Sequence, residues 1–126
     1  MFDTTHIARQ DDIQRFETED RLSRILVHHG IVYISGTLAE DSNGTVEEQT
    51  QNILTRIDGW LEQAGSHKTR ILTATVWLKD VEHAPRMNSV WNAWMPKGCA
   101  PSRSCIESTP GRSQFAVEIA LQAAVI

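Results

Sequence analysis

The chain has 126 residues, of which 40% are hydrophobic and 22% charged, and its net charge is −4. This composition is typical of one globular domain and excludes a disordered protein, and a domain of this length buries roughly two-thirds of its unfolded surface. The negative balance and the scattered arginines argue against nucleic-acid binding, which depends on clustered phosphate contacts. The polar N-terminus lacks a signal-peptide core and no apolar run is long enough to cross a membrane, so we expect a cytoplasmic protein without a membrane partner.

The first third of the chain predicts a lead-in and a β-hairpin. Residues 1–20 are polar with few apolar anchors, and we expect a loosely ordered lead-in that adds at most a short strand. Residues 24–27 and 31–37 are β-branched runs that flank a short turn ending at Gly30. Since glycine can take the positive φ of a tight turn, the pattern predicts two antiparallel strands.

Two helices are predicted downstream. Thr45 and Glu48 have the spacing of a capping box, worth about 1 kcal/mol, and apolar residues follow at helical spacing. Gly65 suits the position that ends this helix. A second helix is expected to begin near Glu82, because Pro85 is tolerated only in the first turn of a helix.

Three further strands are predicted from alternating apolar residues, at residues 71–78, 102–107 and 114–125. In the first of these, the alternation places Leu72 on the same face as the core residues and Ile71 on the opposite face. Together with the two helices, these strands indicate a single α+β domain spanning residues 1–126.

One face of the predicted sheet is expected to meet another copy of the chain. Two helices cover one face of about five strands, and the uncovered face would carry charges if it met water. In the last strand that face is instead small and weakly polar, which suits packing between identical chains and predicts an oligomer. Its residues are Ala116, Glu118, Ala120, Gln122 and Ala124.

Two charged residues could carry chemistry. Arg103 lies near the start of a predicted strand, where it either pairs with a carboxylate or holds a ligand carboxylate or phosphate through charge-assisted bonds worth roughly 1.5–3 kcal/mol each. Glu118 is the only charge in its strand, and an unpaired buried carboxylate is costly. It is expected either to pair with Arg103 or to hold a water for attack. Cys105 is interpreted as a packing residue rather than a nucleophile, because no histidine accompanies it in the pattern.

No metal or cofactor is expected. Cys99 and Cys105 do not have metal-ligand spacing. The histidines occur singly, apart from His28 and His29, whose position in the hairpin indicates a solvated turn.

Several short segments together carry a family resemblance. They are residues 34–36, 45–50, 64–65, 75–80, 87–88, 100–107 and 117–119. The specific part is the segment Ala-Pro-Ser-Arg-Ser-Cys-Ile-Glu, residues 100–107, followed by Val-Glu-Ile, residues 117–119. From about Leu22 to Val125 the chain resembles the Rid family, the RidA/YjgF-like reactive-intermediate deaminases that are also labelled endoribonuclease L-PSP.

The resemblance implies a chorismate-mutase-like α+β fold, with a mixed sheet, two helices on one face and a homotrimer whose ligand clefts lie between subunits. It also implies a hydrolase that converts small 2-imino or 2-enamino acids into 2-keto acids and ammonia without a cofactor. In active members the residue at Arg103 binds the substrate carboxylate, and Glu118 with the backbone around Cys105 orients the attacking water. Gly36 and Asn88 match positions near the ligand.

One position departs from the family pattern. Well-characterised members carry a tyrosine that closes over the substrate, and Leu22 takes its place here. An aliphatic side chain has neither the aromatic ring nor the hydroxyl, so we expect a divergent subgroup with a different substrate. The alternative function is a non-catalytic trimeric binder or sensor of small carboxylate metabolites, in which Glu118 is only structural. An RNA-directed activity is suggested by the older family label alone, and the net charge argues against it.

Overall fold

The computed structural model describes residues 12–126, which form one six-stranded sheet and two helices. The strands are β1 (Gln14–Thr18), β2 (Ser23–His28), β3 (Ile31–Thr37), β4 (Ile71–Leu78), β5 (Ser102–Glu107) and β6 (Val117–Ala124), and the helices are α1 (Val46–Gln63) and α2 (Ala84–Trp94). Short 3₁₀ turns, Lys68–Arg70 and Val81–His83, precede β4 and α2. Within the described residues, no helix combines the length and the apolar character that a membrane crossing requires.

The strand order is β1-β2-β3-β6-β4-β5. All neighbouring strands are antiparallel except β4 and β5, which are parallel. A parallel pair cannot be joined by a hairpin, and α2 supplies the crossover between these two strands. The predicted α+β class with a mixed sheet is confirmed.

The hairpin between β2 and β3 has the turn that its sequence predicts. His29 and Gly30 are its two central residues, with φ of 49° and 78°, and His28 pairs with Ile31. Positive φ at both central positions is the mark of a type I′ turn, which matches the twist of the flanking strands.

Helix α1 begins with the predicted capping box. The Glu48 backbone N–H donates to the Thr45 hydroxyl at 3.1 Å, and Glu48 Oε1 accepts from the Thr45 backbone N–H at 2.9 Å. Gly65 follows the helix with φ of 77°, as expected for the residue that ends it. Asp58 of α1 accepts a 2.9 Å hydrogen bond from the indole of Trp94, which fixes the end of α2 against α1.

Strand β1 lies within the segment that the sequence predicted to be loosely ordered. It pairs with β2, and Phe16 lies opposite Ile25 and packs against the core while its neighbours are exposed. The segment is therefore a polar edge strand with one apolar anchor. Residues 1–11 lie outside the described residues.

Strand β4 contains a β-bulge that reverses two predicted side-chain directions. Its register against β6 shifts between Ile71 and Thr73. Ile71 is 5% exposed and Leu72 is 44% exposed, so the faces predicted for these two residues are wrong. A bulge adds one residue to the alternation, which moves every side chain before it to the other face.

The core lies between the helices and one face of the sheet, and the opposite face is left uncovered by α1 and α2. We call this the open face. It carries small, weakly polar and aromatic side chains from β3, β4 and β6, and its middle is a shallow depression of about 200 Å³. The residues of the open face are Tyr33, Ser35, Thr73, Thr75, Trp77, Glu118, Ala120 and Gln122.

Candidate functional site

Arg103 extends from β5 towards α2. It lies opposite Ala74 of β4, whose buried side chain faces the helices, so the arginine is on the helix-covered side of the sheet. Its Nη2 donates to Asn88 Oδ1 at 2.8 Å, and its Nη1 lies 3.8 Å from Met87 Sδ. The guanidinium carbon is 4.9 Å from the ring centroid of Trp91. We call Arg103, Asn88, Met87 and Trp91 the arginine cluster.

The partners of Arg103 are neutral. An amide oxygen and the face of an indole ring both stabilise a cation without cancelling its charge. Among residues 12–126, the ion pairs involve Arg24, Arg86 and three histidines but not Arg103. The structural alternative, an ion pair with a nearby carboxylate, is therefore not formed within the described part of the chain. Because a guanidinium has more N–H donors than these contacts use, the cluster can accept a planar anion.

Cys105 shares the face of Arg103, since the two residues lie opposite Val76 and Ala74 of β4. Its thiol is free and exposed. The interpretation of Cys105 as a packing residue is therefore wrong. The cause is its place on β5, which among residues 12–126 is the last strand of the sheet and has no strand on its outer side.

Glu118 lies on the open face, close to the backbone of two glycines. Its Oε1 accepts a 2.7 Å hydrogen bond from the backbone N–H of Gly111. Its Oε2 occupies the space that a β-carbon on Gly36 would need. A side chain at position 36 would therefore displace the carboxylate from its present position. We call Glu118, Gly36 and Gly111 the glutamate cluster.

The arginine and glutamate clusters lie on opposite faces of the sheet. Strand β4 shows this directly, because its Ala74 lies opposite Arg103 and its Trp77 lies opposite Glu118. Residues three apart on a strand point to opposite faces. Within one chain, Arg103 and Glu118 therefore neither pair nor face a common cavity.

Leu22 borders the open face. It follows β1, is 39% exposed, and lines a depression of about 450 Å³ together with Tyr33 and Ser35 of the open face. Ser35 is the neighbour of Gly36 in β3. The predicted site residues thus form two groups: Arg103, Asn88 and Cys105 on the helix side, and Leu22, Gly36 and Glu118 on the open face.

The sequence and the fold both have close counterparts among known proteins. The family model for endoribonuclease L-PSP matches residues 12–125. The chain belongs to this family, which is also called Rid or YjgF. The predicted family is confirmed.

Two relatives and one solved structure illustrate the similarity of this Rid protein to others. A RutC family protein from Haemophilus ducreyi is 34% identical over 113 residues, which cover 90% of this chain and 97% of that protein. The RutC family protein YoaB from Escherichia coli is 37% identical over 113 residues, covering 90% of this chain and 98% of that protein. The structure of a YjgF family member from Neisseria meningitidis has a TM-score of 0.88 at 36% identity, covering 91% of this chain and 96% of that chain.

Two contributors to the site of this Rid protein had no functional signal in the sequence. Trp91 is an apolar residue on the buried side of α2, and its spacing of three residues from Asn88 places both on one side of the helix. Gly111 acts through its backbone N–H, and only the conformation of the loop before β6 brings that group to Glu118. Backbone contacts of this kind leave no trace in residue type.

A positively charged cleft borders the glutamate cluster of the Rid protein. It has a volume of about 390 Å³, and its lining includes Gly36, three arginines (Arg24, Arg56 and Arg112) and one acidic residue, Glu40. The Arg24 guanidinium also contacts Glu19 at 3.4 Å, which offsets part of its charge. The remaining arginines leave the cleft positive, and a positive cleft raises the local concentration of anions.

Proposed function

We propose that this Rid protein is a hydrolytic deaminase that converts small 2-imino and 2-enamino acids into 2-keto acids and ammonia. The observation that carries the proposal is the setting of Arg103, which is held by the Asn88 amide and the Trp91 ring. A guanidinium oriented by neutral partners keeps its charge for a substrate carboxylate. Each charge-assisted hydrogen bond to that carboxylate is worth roughly 1.5–3 kcal/mol.

In this proposal the working site forms between two copies of the chain in a homotrimer. One copy contributes Arg103, Asn88 and Cys105, and the next contributes Leu22, Gly36 and Glu118. The support is the separation of the two clusters on opposite faces of the sheet, which prevents one copy from supplying both. Small, weakly polar side chains on the open face also fit close packing between copies.

The reaction asks for positioned water and proton transfer. The enamine first tautomerises to the imine, whose carbon is then attacked by a water molecule held by Glu118. The carboxylate accepts a proton from that water as the C–O bond forms and passes it to the imine nitrogen, which gives a carbinolamine. It then accepts the hydroxyl proton as the C=O bond forms and delivers it to the nitrogen as the C–N bond breaks and ammonia leaves. General acid–base assistance of this kind contributes about 10²–10⁴-fold, and holding the substrate by its carboxylate adds the benefit of orientation.

Leu22 sets the substrate preference in this proposal. It places an aliphatic side chain in the depression of about 450 Å³ where relatives with a tyrosine would place an aromatic ring. We therefore propose a divergent subgroup that accepts aliphatic imines without stacking. The cytoplasmic location and the single domain of residues 1–126 stay predictions.

The proposal is tested by ammonia release from imines that an amino-acid oxidase generates in the assay. The wild-type protein should accelerate release for part of a broad substrate panel, and Arg103→Ala should lower kcat/KM. Losing a charged partner of this type costs about 2–5 kcal/mol, which is roughly 30-fold to several thousand-fold. Arg70→Ala is the matched control, since Arg70 precedes β4 and donates to the Val125 carbonyl, which belongs to neither cluster. No acceleration for any imine in the panel would refute the deaminase proposal.

A non-catalytic carboxylate binder is the alternative, favoured by the aliphatic Leu22 at the border of the open face. Titration with 2-keto acids distinguishes the two functions. A binder would show Arg103-dependent binding without turnover, and Glu118→Gln would leave that binding unchanged. In a deaminase, Glu118→Gln removes turnover while the keto acid still binds.

A further inference from the structure

A second group of polar side chains lies at the hairpin end of β1 and β2, apart from both clusters. Asp12 Oδ2 lies 3.5 Å from His28 Nε2 and 3.3 Å from His29 Nε2. The two imidazole rings are stacked, with centroids 3.8 Å apart and planes inclined by 20°. One donor atom from each of the three residues lies within 4.8 Å of the others.

The backbone at His29 explains why two neighbouring histidines point the same way. Consecutive residues of a strand normally point to opposite faces. His29 has a φ of 49°, a left-handed conformation that is uncommon outside glycine. This conformation turns the His29 ring back over His28, so both Nε2 atoms approach the Asp12 carboxylate.

The two nitrogen–oxygen separations are compatible with those between the ligands of a tetrahedral metal ion, and the stacked rings must move apart on binding, because two imidazoles on one tetrahedral ion diverge. Zinc binds histidine nitrogen and carboxylate oxygen at about 2.0–2.2 Å, which separates tetrahedral donors by about 3.4 Å. The two measured nitrogen–oxygen separations, 3.3 and 3.5 Å, lie on either side of this value. They are longer than a usual N–H···O hydrogen bond of about 2.9 Å.

We propose that Asp12, His28 and His29 form a binding site for a divalent transition-metal ion of the zinc type. Two imidazole nitrogens and one carboxylate oxygen supply three ligands, and water completes the tetrahedron. Borderline ions of this type prefer such nitrogen and oxygen donors. The sequence indicated only a solvated turn, because Asp12 joins the histidines through the pairing of β1 with β2 and not through spacing along the chain.

The bound ion would fasten β1 to the hairpin. Strand β1 is exposed at four of its five positions, and Phe16 is its contact with the core. Asp12 lies before β1, His28 ends β2 and His29 lies in the hairpin turn, so an ion bound by all three would link β1 to the hairpin. The ion stabilises the folded protein by mass action, because the three donors converge only when β1 is paired.

The test uses the full-length protein freed of metal by a chelator and titrated with zinc chloride by calorimetry and by thermal unfolding. The expected result is one ion per chain and a Tm that rises by several degrees at zinc concentrations about 100 times Kd. His29→Asn is the informative variant, since asparagine keeps the left-handed turn but removes the imidazole. His28→Gln and Asp12→Asn remove the other two ligands.

Each of these variants should bind zinc at least about tenfold more weakly, because each removes one of three ligands. When cobalt(II) replaces zinc, the absorption spectrum of a tetrahedral cobalt site should appear in the wild-type protein and be lost in the same variants. His83→Asn is the matched control, since His83 also contacts an aspartate, Asp80 at 3.9 Å, but has no second histidine beside it. Absence of zinc binding by the wild-type protein overturns the proposal, and so does binding that His29→Asn and Asp12→Asn leave unchanged.

Discussion

Mixing two inactive variants tests whether Arg103 and Glu118 act in the same site from different copies. Arg103→Ala keeps Glu118, and Glu118→Gln keeps Arg103. The two clusters lie on opposite faces of one sheet, so the proposed site takes Arg103 from one copy of the proposed trimer and Glu118 from the next. A mixed trimer can therefore rebuild a site that neither variant forms alone.

The activity expected of mixed trimers follows from the three interfaces of the proposed cyclic homotrimer. Any trimer containing both variants has one interface at which an intact Arg103 meets an intact Glu118. Mixed trimers should therefore recover about one-third of the wild-type kcat per trimer, with a wild-type KM, since each interface of a cyclic oligomer is an independent copy of the same contact. Each variant alone should stay at its own low rate.

The assay co-expresses the two variants with different affinity tags and purifies them through both tags in sequence. Ammonia release is then compared with that of the two single-variant proteins. The control is a chain that carries both Arg103→Ala and Glu118→Gln, co-expressed with the wild type, because tagging and mixing affect these trimers in the same way as the trimers of the two single variants. If the doubly tagged trimers are no more active than the single variants, Arg103 and Glu118 do not combine across copies and the proposed composite site is wrong.

Three further predictions concern single positions. Gly36→Ala should lower kcat while leaving the fold unchanged by circular dichroism, because the new β-carbon displaces the Glu118 carboxylate; a wild-type kcat would contradict this role. Leu22→Tyr should lower KM for aromatic imines by about 2- to 10-fold, which corresponds to the interaction energy of one aromatic pair. A KM equal to that of the wild type for both aromatic and aliphatic imines would contradict this prediction. The hydrogen bond from Arg86 holds the pKa of Glu47 below its ordinary value. This pair therefore stabilises α2 against α1 at pH values above the pKa that the glutamate has in the unfolded chain. The stabilisation is lost as the pH falls through the lower pKa of the folded protein. Acid unfolding followed by circular dichroism should be shallower in Glu47→Gln, and an identical pH profile for both proteins would show that the pair is too exposed to matter.

Local structure was predictable where one residue type satisfies one backbone requirement. Thr45 and Glu48 form the expected capping box, and Gly30 takes the positive φ that the hairpin turn needs. In contrast, the bulge in β4 reversed Ile71 and Leu72, because two neighbouring apolar residues satisfy either face equally well. The alternation from Thr73 onward followed the prediction.

The faces of the two site residues were not equally predictable. Glu118 belongs to a strand whose apolar alternation is unbroken, so its place on the uncovered face followed from the pattern. The alternation predicted for β5 is not seen in its burial, since five of its six residues are exposed, Ile106 among them at 45%. Its face is set by the pairing of Arg103 with Ala74, a contact between distant parts of the chain.

The separation of the clusters bears on why the open face has so few charges. Glu118 lies near its edge, beside a cleft lined by arginines, and the middle is built from threonine, alanine and glutamine. If copies pack on this face, a charge in the middle would lose its hydration without gaining a partner, at a cost of several kcal/mol. Charges at the edge keep access to water and to an anionic substrate. We therefore expect Ala120→Glu both to dissociate the oligomer and to abolish deamination. Glu118→Gln should abolish deamination but leave the oligomer intact. Sedimentation of both variants, together with their deaminase assays, decides whether assembly and catalysis use different parts of this face.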